Sequence, residues 1–142
     1  MNKKTPDKSK LAKPAEKLNE DKPVLTSLER ALKCADLALD KKAIDVKILE
    51  IGRLTTIADY LVLASGASDK QAQAIAESVR TGLKKYGKPI DIEGMQEGNW
   101  IVIDYGDVIV HVFREETRHY YDLDGFWAEA PEVPLPEETK PL

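Results

Sequence analysis

Two segments of the chain carry apolar residues at helical spacing. The first follows Thr26–Glu29, whose threonine and glutamate are spaced as in a capping box, and it predicts a helix over about 27–40. The second follows Ser68 and Gln71, which have the same spacing, and Gly87 is placed to end that helix just beyond its C-terminus. Each segment has a single apolar stripe, so both helices should pack on a sheet.

Five shorter segments have the pattern of β-strands. The segment 44–48 alternates apolar and polar residues as a half-buried strand does, whereas 60–64 is apolar throughout, as expected of a central strand. The other predicted elements are strands over 90–93, 100–104 and 108–114, a hairpin turn at 105–107, and helical turns over about 115–121 and 123–129.

The order of these elements, α-β-β-α-β-β-β-α, predicts a single α+β or α/β domain. A mixed five-stranded sheet would carry the two long helices, and the short helical turns would leave one sheet face only partly covered. A partly uncovered face is a surface on which a partner can dock.

Proline positions set the predicted limits of this domain. Seven of the eight prolines lie outside residues 24–130, whereas all eight glycines lie inside them. Residues 1–23 are rich in lysine and proline and have few large apolar side chains, so they predict a disordered leader. The proline-rich residues 131–142 predict a disordered tail, whose first part, 131–136, should be extended rather than packed.

The charge balance differs between the parts of the chain. The domain, 24–130, holds eighteen acidic against thirteen basic residues, a net charge of −5, while the whole chain has −4. An acidic domain argues against a nucleic-acid-binding domain, because affinity for phosphates comes largely from clustered lysine and arginine, and we expect no direct sequence-specific contact with nucleic acid. The leader holds seven lysines against four acids, which is typical of a solvated segment and allows at most weak contact with RNA.

The sequence also limits where in the cell the protein is expected to be. No apolar run approaches the ~20 residues of a membrane span, and no apolar block follows the lysine-rich N-terminus as in a secretory signal. The single cysteine, Cys34, can form no internal disulfide. The leader contains no arginine, unlike a transit peptide, so we expect a cytoplasmic protein of a bacterium that does not bind a membrane.

Few residues point to catalysis or to a cofactor. The turn Ser65–Ser68 lies between a strand and a helix, where backbone amides can bind a phosphate. The nearest alternating carboxylates that could hold Mg²⁺ are, however, the distant Asp91 and Glu93. His111 lies between two valines of a strand and is best explained as a half-buried, hydrogen-bonded side chain, and Cys34 as a packing residue. The sequence therefore predicts no catalytic residue, no metal site and no cofactor.

The segment 93–100 has a different character. Two glycines bracket a polar turn, and Trp100 opens the strand that follows. Alternation places Trp100, Val102 and Asp104 on one face of that strand and Tyr105 on the other. A tryptophan beside acidic residues suits the centre of a protein interface, but the pattern equally fits a tryptophan in the core, and both interpretations stay open.

Three blocks of sequence resemble one known family. They are LTTIADY with ASGAS at 54–68, EG followed by GNWIVIDYGDVIVHVF at 93–113, and ETR, YDL and FW at 116–127. In these blocks the chain is similar to the ribosomal silencing factor family, also called Iojap, and the resemblance extends over about residues 28–133. The block that runs from Trp100 to His111, with its flanks, is highly specific.

Membership of this family would imply a regulator without catalytic activity. The resemblance implies a nucleotidyltransferase-like fold that has lost its catalytic carboxylates. Such a protein is expected to bind the large ribosomal subunit through ribosomal protein fourteen of that subunit, and so to keep the small subunit from joining it. Translation is then repressed by steric occupation, and no cofactor is needed.

The resemblance also implies where the partner binds. Trp100 is expected to anchor the contact, with Val102 and Tyr105 beside it. The other expected contact residues are acidic and would face the basic surface that ribosomal proteins usually present: Glu97, Asp104 and Asp107.

Two other functions remain open on the sequence alone. A residual nucleotidyltransferase would bind a nucleotide with Mg²⁺ at the Ser65–Ser68 turn. A general interaction module would form a homodimer in the free state, through a sheet edge or through the strand 108–113.

Overall fold

A computed structural model of the chain describes residues 23–136, which form a six-stranded sheet with helices on both faces. The predicted leader therefore lies almost wholly outside the described residues, as do residues 137–142 of the predicted tail. The helices are α1 (Ser27–Asp40), α2 (Asp69–Gly82), α3 (Glu115–Tyr121) and α4 (Leu123–Phe126), and a 3₁₀ turn spans Lys84–Tyr86. The strands are β1 (Ile44–Glu50), β2 (Tyr60–Gly66), β3 (Asp91–Glu93), β4 (Trp100–Asp104), β5 (Val108–Arg114) and β6 (Glu132–Val133).

The sheet is mixed, with the strand order β3-β4-β5-β2-β1-β6. The central pair, β2 and β5, runs parallel, and the other neighbouring pairs are antiparallel. The predicted hairpin is confirmed, since Asp104 pairs with Ile109 and the amide of Tyr105 donates to the carbonyl of Val108 (2.9 Å). A mixed sheet with helices packed on it confirms the predicted fold class.

The predicted number of strands, five, is wrong by one. The sixth strand, β6, lies beside β1, where Ile48 pairs with Val133 and Leu49 with Glu132. The expectation that 131–136 is extended but unpacked is therefore incorrect here, because Val133 and Leu135 also pack against the core. Prolines before and after the two paired residues hide this strand in the sequence, yet an edge strand tolerates prolines because one side of it needs no donors.

The strand β5 is internal, which corrects one route considered for self-association. It lies between β4 and β2, and both of its edges are hydrogen-bonded along the ladder. In the sheet that residues 23–136 form, the outermost strands are β3 and β6. Pairing of strands between two copies of the chain would therefore have to use β3 or β6.

The helix α1 begins with the capping box expected from the sequence. The amide of Glu29 donates to the hydroxyl oxygen of Thr26 (3.1 Å), and the amide of Thr26 donates to the carboxylate of Glu29 (2.9 Å). Two amides that the first turn leaves without helical partners are thereby paired, which fixes where the helix begins.

The two ends of α2 differ from the prediction. At its start the amide of Gln71 donates to the hydroxyl of Ser68, but the Gln71 side chain accepts from the amide of Ala67 rather than completing the box with Ser68. At its end the α-helix stops at Gly82, and Gly87 instead ends the 3₁₀ turn that follows. The end shifts because the chain tightens from α-helical to 3₁₀ geometry before it leaves the helix.

Two apolar clusters lie on opposite faces of the sheet. The larger one fills the space between the sheet and the long helices α1 and α2 and includes Ile101, Ile103, Val110 and Val112, all fully buried. The smaller one lies on the other face around Phe113, where Leu123 and Trp127 from the C-terminal helices pack against it. Among residues 23–136, no helix is long and apolar enough to span a membrane.

Candidate functional site

The strand β4 divides its side chains between the two faces of the sheet. Ile101 and Ile103 are fully buried under α1 and α2. Trp100, Val102 and Asp104 lie on the opposite face and are partly exposed. This division follows from the alternation of side chains along a strand, as the sequence predicted.

Pairing with the neighbouring strands extends this surface. On one side Val102 pairs with His111 and Asp104 with Ile109, so these β5 residues lie on the same face as their β4 partners. On the other side β3 contributes two exposed acids by the same register. We call the resulting surface the open face, and it consists of Asp91, Glu93, Trp100, Val102, Asp104, Ile109 and His111.

The Trp100 side chain lies where the open face meets the smaller apolar cluster. Its ring centroid is 5.0 Å from that of Phe113 and 4.8 Å from that of Tyr121 at the end of α3. Trp100 is therefore neither a core residue nor a free surface residue. One side of the ring packs on the core, and the side chain remains partly exposed to solvent.

A hydrogen bond fixes the orientation of Trp100. The indole nitrogen Nε1 donates to Nδ1 of His111 at 2.9 Å. Burial lowers the pKa of His111 to about 4, so the imidazole is neutral at neutral pH and its Nδ1 lone pair can accept this bond. The large aromatic ring is thus held in one orientation at the surface of the sheet.

The charged side chains of the open face itself are all acidic. Asp91, Glu93 and Asp104 lie on the face, and Glu97 is exposed in the turn that leads into β4. Asp104 accepts a hydrogen bond from the amide of Gly106 (2.8 Å), but none of the four forms an ion pair within residues 23–136. The open face therefore combines a fixed aromatic ring with carboxylates that have no cationic partner within that range.

Glycines set the position of the turn that carries Glu97. Gly94 has a φ of 81°, and a Cβ there would collide with the carbonyl oxygen of Trp100. Gly98 has a φ of 73°, and its Cβ would meet the backbone of Asp69 in α2 at 2.8 Å. The turn can therefore lie close against α2 and the start of β4 only because both residues lack a side chain.

Tyr105 and Asp107, two of the expected contact residues, lie on the other side of the sheet. Asp107 forms an ion pair with Arg30 of α1 at 3.1 Å, and the Arg30 guanidinium lies 5.4 Å from the centre of the Tyr105 ring. The hydroxyl of Tyr105 is buried without a hydrogen-bond partner among the described residues, and burial raises the pKa of this phenol. The structure thus brings together Trp100, Val102 and Asp104, while these two residues join the hairpin to α1.

The turn Ser65–Ser68 has little capacity left to bind a phosphate. The amide of Ala67 donates to the side chain of Gln71 (2.8 Å), the amide of Gln71 to Ser68 (3.1 Å), and the amide of Lys70 to Asp69 (2.7 Å). A phosphate at a helix N-terminus needs such amides free. The structure therefore gives no support to the nucleotide-binding alternative at this turn.

Two other features bear on chemistry elsewhere in the domain. Cys34 is fully buried in α1, and burial raises the pKa of its thiol to about 12, which keeps it in the unreactive thiol form. In the part of the chain from 23 to 136, no three His, Cys, Asp or Glu side chains are grouped so that they could hold a metal ion.

A buried arginine is the feature that the sequence did not suggest. Arg118 of α3 donates to both carboxylate oxygens of Asp124 (3.0 and 2.9 Å), to the carbonyl of Asp45 (2.7 Å) and to the hydroxyl of Ser65 (3.0 Å). These bonds lower the pKa of Asp124 to about 2. They join the C-terminal helices to β1 and β2, and no short-range pattern around Arg118 predicts partners so distant along the chain.

Comparison with known proteins identifies one family. The model of the family described as ribosomal silencing factor during starvation matches residues 24–141. The chain is 40% identical over 93 residues to the ribosomal silencing factor of Bacillus subtilis, covering 65% of this chain and 79% of that protein. It is 33% identical over 115 residues to the chloroplastic protein Iojap of Arabidopsis thaliana, covering 80% of this chain and 48% of that protein.

Solved structures show the same fold. A crystal structure of a protein from Chromobacterium violaceum superposes with a TM-score of 0.71 at 32% identity, covering 73% of this chain and 88% of that one. A second, from Bacillus halodurans, gives a TM-score of 0.64 at 36% identity and covers 76% of this chain and 96% of that one. Since the family model spans most of the sequence, and relatives and solved structures agree with it, this chain belongs to the ribosomal silencing factor family.

Proposed function

We propose that this protein represses translation by binding the large ribosomal subunit through ribosomal protein fourteen, with the open face as its docking surface. Occupation of that site would keep the small subunit from joining. The observation that carries the proposal is the Trp100 ring, held by His111 on a face that no helix among residues 23–136 fully covers and that carries acidic side chains. The action is steric, so it requires no catalytic residue and no cofactor.

The chemistry of the open face suits a basic protein. A partly buried tryptophan is the residue type that most often dominates binding energy at an interface, provided that its neighbours exclude water. Val102 and Ile109 supply the apolar neighbours, and Asp91, Glu93 and Asp104 supply the surrounding charge. Complementary charge would speed the encounter with a basic ribosomal protein and fix its orientation.

The remaining expected contact residues take different places in this proposal. Glu97 lies in the exposed turn before Trp100 and can reach the same partner. Tyr105 and Asp107 contact Arg30 behind the sheet, so they would support the hairpin rather than touch the ribosomal protein. The proposal places the protein in the bacterial cytoplasm, where its target is assembled.

Self-association in the free state is a separate part of the proposal. A homodimer that used the open face would hide Trp100, so dimerisation and ribosome binding would compete. Sedimentation equilibrium of the free protein measures its mass directly. A dimer that is lost in Trp100→Ala would support shared use of the face, whereas a dimer that is unchanged would place self-association elsewhere.

Co-sedimentation with isolated small subunits, isolated large subunits and whole ribosomes tests the proposal. We expect binding to the large subunit alone, and Trp100→Ala should weaken it by about 2 kcal/mol or more, roughly thirtyfold in Kd. Trp127→Ala is the matched control, because this second tryptophan packs on the same sheet face but outside the open face.

The interpretation depends on both variants being folded, which circular dichroism and a thermal melt establish. Trp100→Phe should recover part of the affinity, because it restores an aromatic ring without the bond to His111. Absence of wild-type binding to any particle, at concentrations well above a micromolar, would contradict the proposal.

A further inference from the structure

The end of α2 and the start of β3 form a basic groove. Its volume is about 400 Å³, and the residues that line it include Arg80, Lys84, Lys88, Ile90 and Asp91. We call this surface the basic groove. It lies at the β3 edge of the sheet, next to the open face, and Asp91 belongs to both surfaces.

The positive charge of this groove is concentrated and largely unpaired. The nine residues from Arg80 to Lys88 hold four basic side chains and no acid. Arg80 is paired with Glu77. Lys84, Lys85 and Lys88 are all exposed, and within the described residues none of them has a carboxylate at ion-pair distance.

Such a cluster is unexpected in this domain. Residues 24–130 carry a net charge of −5, so basic side chains have many acidic residues with which they could be interspersed. Like charges held together raise the electrostatic free energy of the fold, and they create a local positive potential that attracts an anion. On a surface that only contacts solvent, the lysines could be dispersed among the acids, and grouping them would bring no advantage.

An aromatic ring and an exposed aliphatic side chain accompany the charge. The Tyr86 ring has the ammonium groups of Lys33 and Lys85 at 5.8 and 5.3 Å from its centre. Ile90 is 73% exposed in the wall of the groove. The groove thus sets an exposed apolar side chain beside its lysines, and positive charge clustered on one surface is the feature that a phosphate backbone requires.

We propose that the basic groove binds the phosphate backbone of RNA, and the proposal rests on the function proposed above. The domain then presents two adjacent surfaces of opposite sign, the acidic open face for a basic protein and the basic groove for RNA. A ribosomal subunit presents basic proteins and RNA phosphates side by side. Contact at both surfaces would fix the orientation of the domain on the subunit and add affinity that depends on salt.

The test compares two triple variants of the full chain. Lys84→Gln, Lys85→Gln and Lys88→Gln together remove the two lysines that line the basic groove and the exposed Lys85 beside them in the chain. The matched control, Lys41→Gln, Lys42→Gln and Lys70→Gln, removes three exposed lysines near the opposite end of α2, where Gln71 contacts the carbonyls of Lys41 and Lys42. Equal thermal melts would show that both variants keep the fold.

The first readout is binding of a fluorescent RNA duplex of about 16 base pairs, measured by anisotropy between about 50 and 200 mM salt. The groove variant should bind at least about tenfold more weakly at the lowest salt. Its plot of log affinity against log salt should lose about one unit of slope for each lysine removed. The control variant should stay within about twofold of the wild type. Equal RNA binding by the two variants would overturn the proposal.

The second readout distinguishes the proposed RNA contact from the proposed binding of ribosomal protein fourteen through the open face. In co-sedimentation with large subunits, the groove variant should bind more weakly than the control, and the binding that remains should still depend on Trp100. Binding that depends on Trp100 but is equal in both triple variants would overturn the RNA contact and leave the proposed function intact. Lysine-dependent binding to phosphatidylglycerol vesicles but not to the RNA duplex would also overturn it, in favour of a membrane surface.

Discussion

The two faces of the β4–β5 hairpin are built from the same two strands, yet only one face is fully buried. On the helix side, Ile101, Ile103, Val110 and Val112 are fully buried under α1 and α2. On the other side Phe113 is buried too, but the remaining alternate residues of the same two strands are partly exposed: Trp100, Val102, Asp104, Ile109 and His111. The comparison shows that a strand can specify a core and a docking surface at once, because its side chains alternate between the faces.

The opposite face is itself divided. Around Phe113 it is covered by the C-terminal helices, which Arg118 joins to β1 and β2. Beyond Trp100, towards β3, no helix of the described part of the chain fully covers it, and acids take the place of apolar residues. Trp100 lies on this boundary, which explains why the sequence pattern fitted both a core residue and an interface residue.

The largest difference in stability is expected between substitutions of two adjacent residues of β4. Ile103→Ala, on the helix side, should reduce the free energy of unfolding by about 3 kcal/mol, since it leaves a cavity in a closed core. Val102→Ala, on the open face, should cost less than about 1 kcal/mol, because water already reaches the site. Urea denaturation of both variants measures the two values. Equal losses would contradict the division between a closed and an open face.

Acid should destabilise the fold through His111. Its pKa in the folded state is about 4, below the ordinary value of 6.5, so its contribution is fully present above pH 6.5 and is lost as the pH falls towards 4. The loss should be on the order of 3 kcal/mol. The loss of stability due to Asp124, whose pKa is about 2, occurs below pH 4 and therefore does not overlap with the loss due to His111.

The variant His111→Gln should flatten this dependence, because a glutamine can accept from the Trp100 indole but does not titrate. His119, which is exposed on α3, supplies the matched control. His119→Gln should leave the pH dependence between 4 and 6.5 unchanged. Denaturant titrations of the wild type and both variants at several pH values give the comparison, and a wild type that is equally stable at pH 7 and pH 4.5 would contradict it.

A smaller loss is expected where Arg118 joins the covered half of the face to β1 and β2. Arg118→Met keeps the long side chain but removes the bonds to Asp45, Ser65 and Asp124, and it should cost about 2 kcal/mol. Arg114→Met is the control, because Arg114 pairs with the exposed Glu116 and such pairs contribute little. Hydrogen exchange of α3 should rise in the first variant only, and unchanged protection in Arg118→Met would refute the role of this arginine.

The smallest effect is expected from Tyr105→Phe. The Tyr105 hydroxyl is buried without a partner among residues 23–136, so its removal should leave stability unchanged or raise it by up to about 1 kcal/mol. Because Tyr105 lies behind the open face, binding to the large subunit should also stay within about twofold. A large loss of binding in this variant would mean that the partner contacts the helix side of the hairpin.

Most of the fold could be predicted from periodicity and capping signals, which act over a few residues. The capping box at Thr26 and Glu29 and the hairpin at 105–107 are local, and both are present as predicted. The strand β6 could not be found in this way, since only two residues between prolines are paired and the pairing is with distant β1. Short pairings of this kind depend on the tertiary structure rather than on local pattern.

The candidate site could be predicted only in part, for a similar reason. Alternation placed Trp100, Val102 and Asp104 together, and it placed Tyr105 on the other side of the strand. The bond from Trp100 to His111 depends on the hairpin register, which pairs Val102 with His111 and brings the two rings together. The length of the turn at 105–107 sets this register, so the contact between Trp100 and His111 could have been inferred from the sequence. The partners of Arg118 could not, because they lie far away along the chain.

The most direct test of the central claim is subunit joining itself, followed by light scattering after purified small and large subunits are mixed. Wild-type protein, incubated first with the large subunits, should reduce the rise in scattering in proportion to its occupancy. Folded Trp100→Ala at the same concentration should leave joining nearly unaffected. If Trp100→Ala blocks joining as well as the wild type does, the open face is not the surface through which this protein acts.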